Sequence, residues 1–144
     1  MTTAILPAIA AIIFNTERQV LLQFRNDVGQ WGIISGHVEF GESVADAVVR
    51  EIWEETNAHA EIVRLIGIYS APHSQIYNYP DKTVQYVTAY FEAKFIDELD
   101  LRFHNNETGA LQFFSPQELP GDLAQMHGSW LQDALASSEV PFLR

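Results

Sequence analysis

The sequence predicts a layered α/β sandwich. Three features carry that prediction: short apolar runs separated by polar turns, one long segment of strict alternation, and two stretches whose apolar residues recur at helical spacing. The first run, Ala8 to Phe14, is continuously apolar and rich in Ile and Ala, as a strand covered on both faces would be. Asn15-Thr16-Glu17-Arg18 supplies a polar turn, and Arg18 to Phe24 returns as a second strand around Val20-Leu21-Leu22. Trp31 to Ile34 is a short apolar stretch between glycines. Ser43 to Thr56 is the clearest helix.

Ile62 to Tyr69 and Val84 to Phe95 read as longer strands. In the second, Val87, Ala89, Phe91, Ala93 and Phe95 alternate with Tyr86, Thr88, Tyr90, Glu92 and Lys94, so the two sets point to opposite faces. Between these strands, Ala71 to Thr83 reads as a polar loop carrying Tyr77 and Tyr79. A last strand runs near Ala110 to Phe114. Ser115-Pro116-Gln117-Glu118 then has a cap, Pro at the first helical position and Glu three after the cap, which predicts a short helical turn. Leu123, Met126, Trp130, Leu131 and Leu135 predict an amphipathic helix near the end.

At 144 residues, with no repeat, low-complexity tract or linker, the chain is read as one domain spanning 1–144. It has no cysteine, which excludes disulfides, thiolate metal sites and cysteine nucleophiles. The formal net charge of −11 opposes a nucleic-acid or anionic-membrane partner, since both need a basic face. Ala4 to Phe14 is too short to span a membrane and has no basic residue before it, so neither a spanning helix nor a signal peptide is expected. A soluble, cytoplasmic protein is the expectation.

The helix concentrates charge. From Gly36 to Ala58 stand six acids (Glu39, Glu42, Asp46, Glu51, Glu54 and Glu55) against Arg50 alone. Ser43 and Asp46 give its start signal, and Asn57, tolerant of the left-handed conformation, gives its end. On a wheel of about 100° per residue, Glu51, Glu54 and Glu55 crowd one arc. That arc abuts an apolar face made by Val44, Ala45, Val48, Val49, Ile52 and Trp53. Like charges at this spacing repel, and Arg50 reaching Glu54 offsets only part of it. A hard divalent cation with oxygen ligands would relieve the remainder. A solvated acidic face is the other reading that the carboxylates alone allow.

The order of residues favours the cation. Gly36, five residues, Glu42, seven residues, then Arg50-Glu51-Ile52-Trp53-Glu54-Glu55-Thr56-Asn57-Ala58 resembles the signature of the Nudix hydrolases, G-x5-E-x7-R-E-U-x-E-E-x-G-U with U aliphatic. Gly36, Glu42, Arg50, Glu51, Ile52, Glu54 and Glu55 match in register, while Asn57 replaces the last glycine and Ala58 is a small choice for the last aliphatic position. Ile34-Ser35 stands where the family often has Pro-Gly. The resemblance implies an α/β/α sandwich with a mixed sheet between helices. It implies Mg2+- or Mn2+-dependent hydrolysis of a pyrophosphate bond in a small nucleoside diphosphate derivative, such as a nucleotide sugar, ADP-ribose, a dinucleoside polyphosphate or a nucleoside triphosphate. Relatives often dimerise, so a homodimer is compatible with the resemblance, although no oligomer signal is readable.

By that match, Glu51 and Glu55 are the first metal ligands and Ser35 offers its main-chain carbonyl. Glu54 holds a second metal or acts as general base, a role the match leaves open. Arg50 orients Glu54, and Glu42 is a supporting or outer-shell residue. Glu107, in the polar stretch Asn105 to Gly109, is either a further acidic ligand or base, or an exposed turn residue. Arg25 reaches a substrate phosphate or makes a surface ion pair. Tyr77 and Tyr79 stack on a base or pack on the sheet. His37, Tyr86 and Tyr90 read as loop and packing residues. Two other functions stand beside the hydrolase: a nucleotide-binding sensor that is catalytically silent, and an isoprenoid diphosphate isomerase, which the missing cysteine disfavours.

Overall fold

A computed structural model of the chain describes residues 2–144. Strand β1 (Thr2–Ile13) lies inside the larger sheet. Strand β2 (Val20–Arg25) and the short β3 (Gln30–Gly32) follow, then β4 (Ile34–His37), helix α1 (Val44–Thr56) and β5 (Ala60–Tyr69). A one-turn helix α2 (Pro72–Gln75) leads into β6 (Ile76–Asn78), the long β7 (Lys82–Phe95) and β8 (Thr108–Phe114). Helix α3 (Trp130–Leu135) and β9 (Phe142–Leu143) complete the order.

The larger sheet is mixed, in the order β4-β1-β7-β5-β9, with β6 beside β7. β1 runs parallel to β7 and antiparallel to β4, so it is paired on both edges. A smaller antiparallel sheet has the order β3-β2-β8. From Ala8 to Ile13 β1 is buried on both faces and needs apolar side chains on both, which is why that stretch does not alternate. Ile9, Ala11 and Ile13 pack with Ala47, Val48 and Ile52 of α1. Ala10 and Ile12 pack on the other side with Ile66, Tyr69, Tyr90 and Trp130, the last from α3. The sheet therefore lies between helices, as expected.

Helix α1 matches its expected limits. The Ser43 hydroxyl accepts the Asp46 N–H at 3.0 Å, and Asn57 closes the helix at φ 57 and ψ 27. A left-handed Asn carries a steric cost that Gly lacks. Asn57→Gly is therefore expected to raise stability by roughly 0.5 kcal/mol without altering the site. A urea midpoint that falls instead would show that the Asn side chain is needed there.

Three expectations are corrected. β1 starts at Thr2, well before Ala8, because Thr2 to Pro7 continue the parallel ladder against Lys82 to Val87. The expected polar loop from 71 to 83 contains α2 and β6, since Pro72 starts the helical turn and Ile76 to Asn78 pair with Thr83 to Gln85 of β7. Ser115 to Glu118 makes the short turn expected of it, with Glu118 N–H bonded to Ser115 O at 2.9 Å. Pro120 prevents its continuation by disfavouring a helical Leu119.

The last helix is short, covering only Trp130–Leu135. Leu123 belongs to an extended segment bridged to Trp31, where Trp31 N–H bonds Asp122 O and Ala124 N–H bonds Trp31 O at 2.7 Å. A tertiary bridge satisfies that backbone, so helical spacing there did not become a helix. Among the described residues, no helix is long and apolar enough to cross a membrane.

Candidate active site

The buried stripe of α1 consists of Ala47, Val48, Glu51, Ile52, Glu55 and Thr56. Glu51 and Glu55 thus lie inside it, while Val44 and Trp53, expected on the apolar face, are exposed at 42% and 41%. Trp53 instead stacks on His59 with ring centroids 4.3 Å apart. Glu54 lies outside the stripe. The three carboxylates expected to crowd together are therefore split into a buried pair and one rim residue.

Space for the buried pair is made by a glycine. A Cβ on Gly36 would meet the Glu51 carboxylate, with its Cδ at 2.2 Å and its oxygens at 2.4 and 2.6 Å. The signature Gly is thus required for close approach, not for an unusual backbone angle. Gly36 pairs with Ile9 and Ser35 with Ala10, which lays β4 on β1 beneath the helix.

Arg50 organises the rim. Its Nε donates to Glu42 Oε2 at 2.6 Å and its Nη2 to Glu42 Oε1 at 3.0 Å, a two-pronged pair. Nη1 donates to Glu51 Oε1 at 2.9 Å and to Glu54 Oε2 at 3.1 Å, and Nη2 also reaches the His37 carbonyl at 3.0 Å. Glu42 is its main partner, with Glu54 one of several. Glu42 is accordingly held below the ordinary carboxylate range by Arg50, and the guanidinium is made still harder to deprotonate, first by Glu42. Glu55 moves the other way. Burial first, then the neighbouring Glu51, pushes its carboxyl well above the usual range.

The buried pair opens on an acid cleft of about 550 Å³, lined also by Gln23, Arg25, Ser35, Gly36, Glu39 and Glu107. The structure therefore brings Glu51, Glu55, Ser35, Arg25 and Glu107 to one cavity, and leaves Glu54 outside its lining. Glu107 reaches it from the loop before β8, held by Asn105 Oδ1, which accepts the N–H groups of Glu107 and Thr108 at 2.9 and 2.7 Å. Among the described residues, no three His, Asp or Glu side chains converge on one point suited to an ion. Two carboxylates and neutral oxygens are what Mg2+ normally takes from a protein, since it keeps waters and substrate phosphates for its other positions. The donor set fits such an ion, and Glu55 Oε2, buried without any hydrogen-bond partner, is an oxygen that wants one.

A second cavity of about 340 Å³ adjoins the first and shares Arg25, Asp27, Ser35, Gly36 and His37 with it. Arg25 stands at the junction, pairing with Asp27 at 3.0 Å and approaching Ser35 Oγ at 3.5 Å. The interior is aromatic, with Tyr69, Tyr77, Tyr79, Tyr86, Tyr90 and Trp130 among its walls. Tyr77 packs edge-on to Tyr86 at 5.5 Å and donates to the Gln125 carbonyl at 2.8 Å, while the hydroxyls of Tyr79 and Tyr86 are hydrogen-bonded at 2.9 Å. The sequence placed Tyr86 and Tyr90 among packing residues. They pack and line the cavity at once.

His37 is tied to Tyr86, its Nε2 lying 3.0 Å from the phenol oxygen. His127 and Gln75 carried no sequence signal, yet both line the aromatic cavity. His127 Nδ1 accepts the Ser129 N–H at 3.0 Å, so the proton of the neutral ring sits on Nε2. Burial, then His73, keeps that ring below its ordinary pKa. Gln75 donates its amide to Thr88 Oγ1 at 2.8 Å, which leaves its oxygen as an acceptor. Tyr69 is fixed by a hydrogen bond to Asp133, which Arg144 clamps at 2.8 and 2.9 Å.

The family model described as NUDIX domain matches residues 5–134. A Bacillus subtilis protein provisionally named an 8-oxo-dGTP diphosphatase is 34% identical over 119 residues, covering 76% of this chain and 66% of that protein. A Streptomyces ambofaciens MutT-like protein is 26% identical over 128 residues, covering 89% and 75%. Among solved structures, an ADP-ribose pyrophosphatase from Streptococcus suis superposes with TM-score 0.70 at 28% identity, covering 96% of this chain and 97% of that one.

Proposed function

The chain belongs to the NUDIX domain family, and we propose that it is a divalent-metal-dependent hydrolase of a pyrophosphate bond in a small nucleotide derivative. The observation that carries this reading is the buried Glu51–Glu55 pair, seated against Gly36 and opening beside an aromatic cavity. The names of the relatives, which include 8-oxo-dGTP and ADP-ribose hydrolases, support it.

In this reading Glu51, Glu55 and the Ser35 carbonyl hold Mg2+ or Mn2+. The bound ion supplies neutralisation of phosphate charge and a lowered pKa for the attacking water. The chain's own groups do the rest. Arg50 holds Glu51 and Glu54 in place, and Glu54, exposed at the rim, takes the proton from water. Glu107 faces the same cleft from the opposite loop and assists in charge placement. Arg25, at the junction of the two cavities, meets a phosphate. The diphosphate thus lies over the carboxylates and the nucleoside enters the aromatic cavity.

Ligand sites span ~300–1,000 Å³, and the aromatic cavity of about 340 Å³ falls within that range. Tyr77 and Tyr79 offer ring faces, and His127 and Gln75 offer one donor and one acceptor to a base edge. The net charge of −11 gives RNA no basic face to grip, which supports a small substrate. We read residues 1–144 as one domain, working in the cytoplasm as a monomer or homodimer.

A phosphate-release screen over nucleotide sugars, ADP-ribose, dinucleoside polyphosphates and nucleoside triphosphates, with Mg2+, Mn2+ or EDTA, tests the proposal. Turnover of at least one compound, abolished by EDTA, is expected. Tight nucleotide binding with no product under either metal would favour the silent sensor instead.

A further inference from the structure

The wall of the acid cleft holds two oxygens that the protein leaves unsatisfied. Gln23 Oε1 and Glu55 Oε2 are both buried without a hydrogen-bond partner, in residues only 1% and 4% exposed. Gln23 comes from β2, outside the signature segment, and lines the cleft beside Ser35, Gly36, Glu51 and Glu55.

The direction of the Gln23 amide follows from its neighbours. Glu55 sits in the last turn of α1, where main-chain carbonyls lack helical partners. The Thr108 hydroxyl donates to that Glu55 carbonyl at 2.8 Å, so the oxygen of Thr108 is left only to accept. It accepts from Gln23 Nε2 at 2.7 Å. Exchanging the amide nitrogen and oxygen would set two acceptors against each other. The Gln23 carbonyl is therefore turned away from Thr108, with the Glu55 carboxyl beside the Gln23 amide.

We propose that the Gln23 side-chain oxygen is a neutral ligand of the cation held by Glu51 and Glu55, forming the deep end of that seat with Glu55 Oε2. The inference rests on the metal-dependent reading above. Hard divalent cations accept carboxamide oxygens beside carboxylates. A neutral ligand here adds an oxygen without adding to the repulsion between two adjacent glutamates. A cation would also satisfy both orphaned oxygens at once.

Calorimetric titration with Mn2+, in the absence of substrate, tests this on the wild-type protein, Gln23→Leu and Gln23→Glu. Gln23→Leu is expected to bind Mn2+ at least tenfold more weakly and to show a smaller metal-induced rise in Tm, with its metal-free Tm not lowered. Gln23→Glu keeps an oxygen facing the cleft while its other oxygen opposes the Thr108 oxygen, so it is expected to bind Mn2+ at least as tightly as wild type with a lower metal-free Tm. Unchanged affinity in Gln23→Leu, or weakened affinity in Gln23→Glu, overturns the proposal while leaving the metal reading intact. A wild-type protein that fails to bind Mn2+ overturns the metal reading itself. Should Gln23→Leu fail to fold, the Gln23→Glu titration alone decides.

Discussion

Gly36→Ala is expected to remove nearly all turnover while the protein still folds. The added methyl would sit 2.2 Å from the Glu51 carboxyl carbon and within 2.6 Å of both its oxygens. No such contact survives, so something must move. What it meets is the far end of a flexible side chain, and the cheapest escape is for Glu51 to swing away. That escape breaks the Arg50 bond at 2.9 Å and takes one of two buried carboxylates out of the cleft. A displacement of about 1 Å at a reacting centre costs ~100-fold in rate, so a drop of 10²-fold or more in kcat is expected. Circular dichroism should show an intact fold, with Tm lowered by only a few degrees for ~1 kcal/mol. Wild-type kcat would mean that the Glu51 position does not matter. A chain that cannot fold would mean that β4, and not Glu51, is what gives way.

Glu54→Gln is the second substitution expected to have a large effect, and it acts differently. Glu54 is outside the buried stripe of α1, with its side chain 48% exposed, so neutralising it leaves packing alone. Loss of a proton acceptor typically costs ~10²–10⁴ in rate. A fall of that size in kcat, with KM and Mn2+ affinity near wild type, is expected. Glu107→Gln is expected to lose about tenfold, less than the ~10²–10⁴ of a group that takes the proton itself. If the two effects are reversed, Glu107 is the acceptor. That result would agree with its place in the cleft lining, which Glu54 lacks.

Much of this site was legible because it is local. Helix α1, its Ser43 cap, its left-handed Asn57 and the identity of Glu51 and Glu55 all follow from one continuous segment whose spacing carries the information. The division of the acids was not legible. A helical wheel puts Glu54 and Glu55 on either side of Glu51, and only the strand beneath decides that Glu55 is covered and Glu54 is not. Arg50 shows the same limit. Its i, i+4 partner Glu54 was visible, but its stronger partner Glu42 precedes the helix and is brought close by the turn from 38 to 43. Gln23, Gln75 and His127 sit on separate elements with no shared spacing, so their convergence on the cavities exists only in the fold. At the other end, helical periodicity from Leu123 to Leu135 misled because Leu123 packs from an extended segment bridged to Trp31. Apolar spacing records burial and says nothing of which backbone delivers it.

Anomalous scattering from crystals soaked in Mn2+ is the most direct check on the cation seat. A peak is expected within coordinating distance of a Glu51 oxygen and Glu55 Oε2, at the foot of the strand carrying Ser35 and Gly36. A fully soaked crystal with no manganese there, or with manganese bound only on the outer acids Glu39 and Glu54, would contradict it.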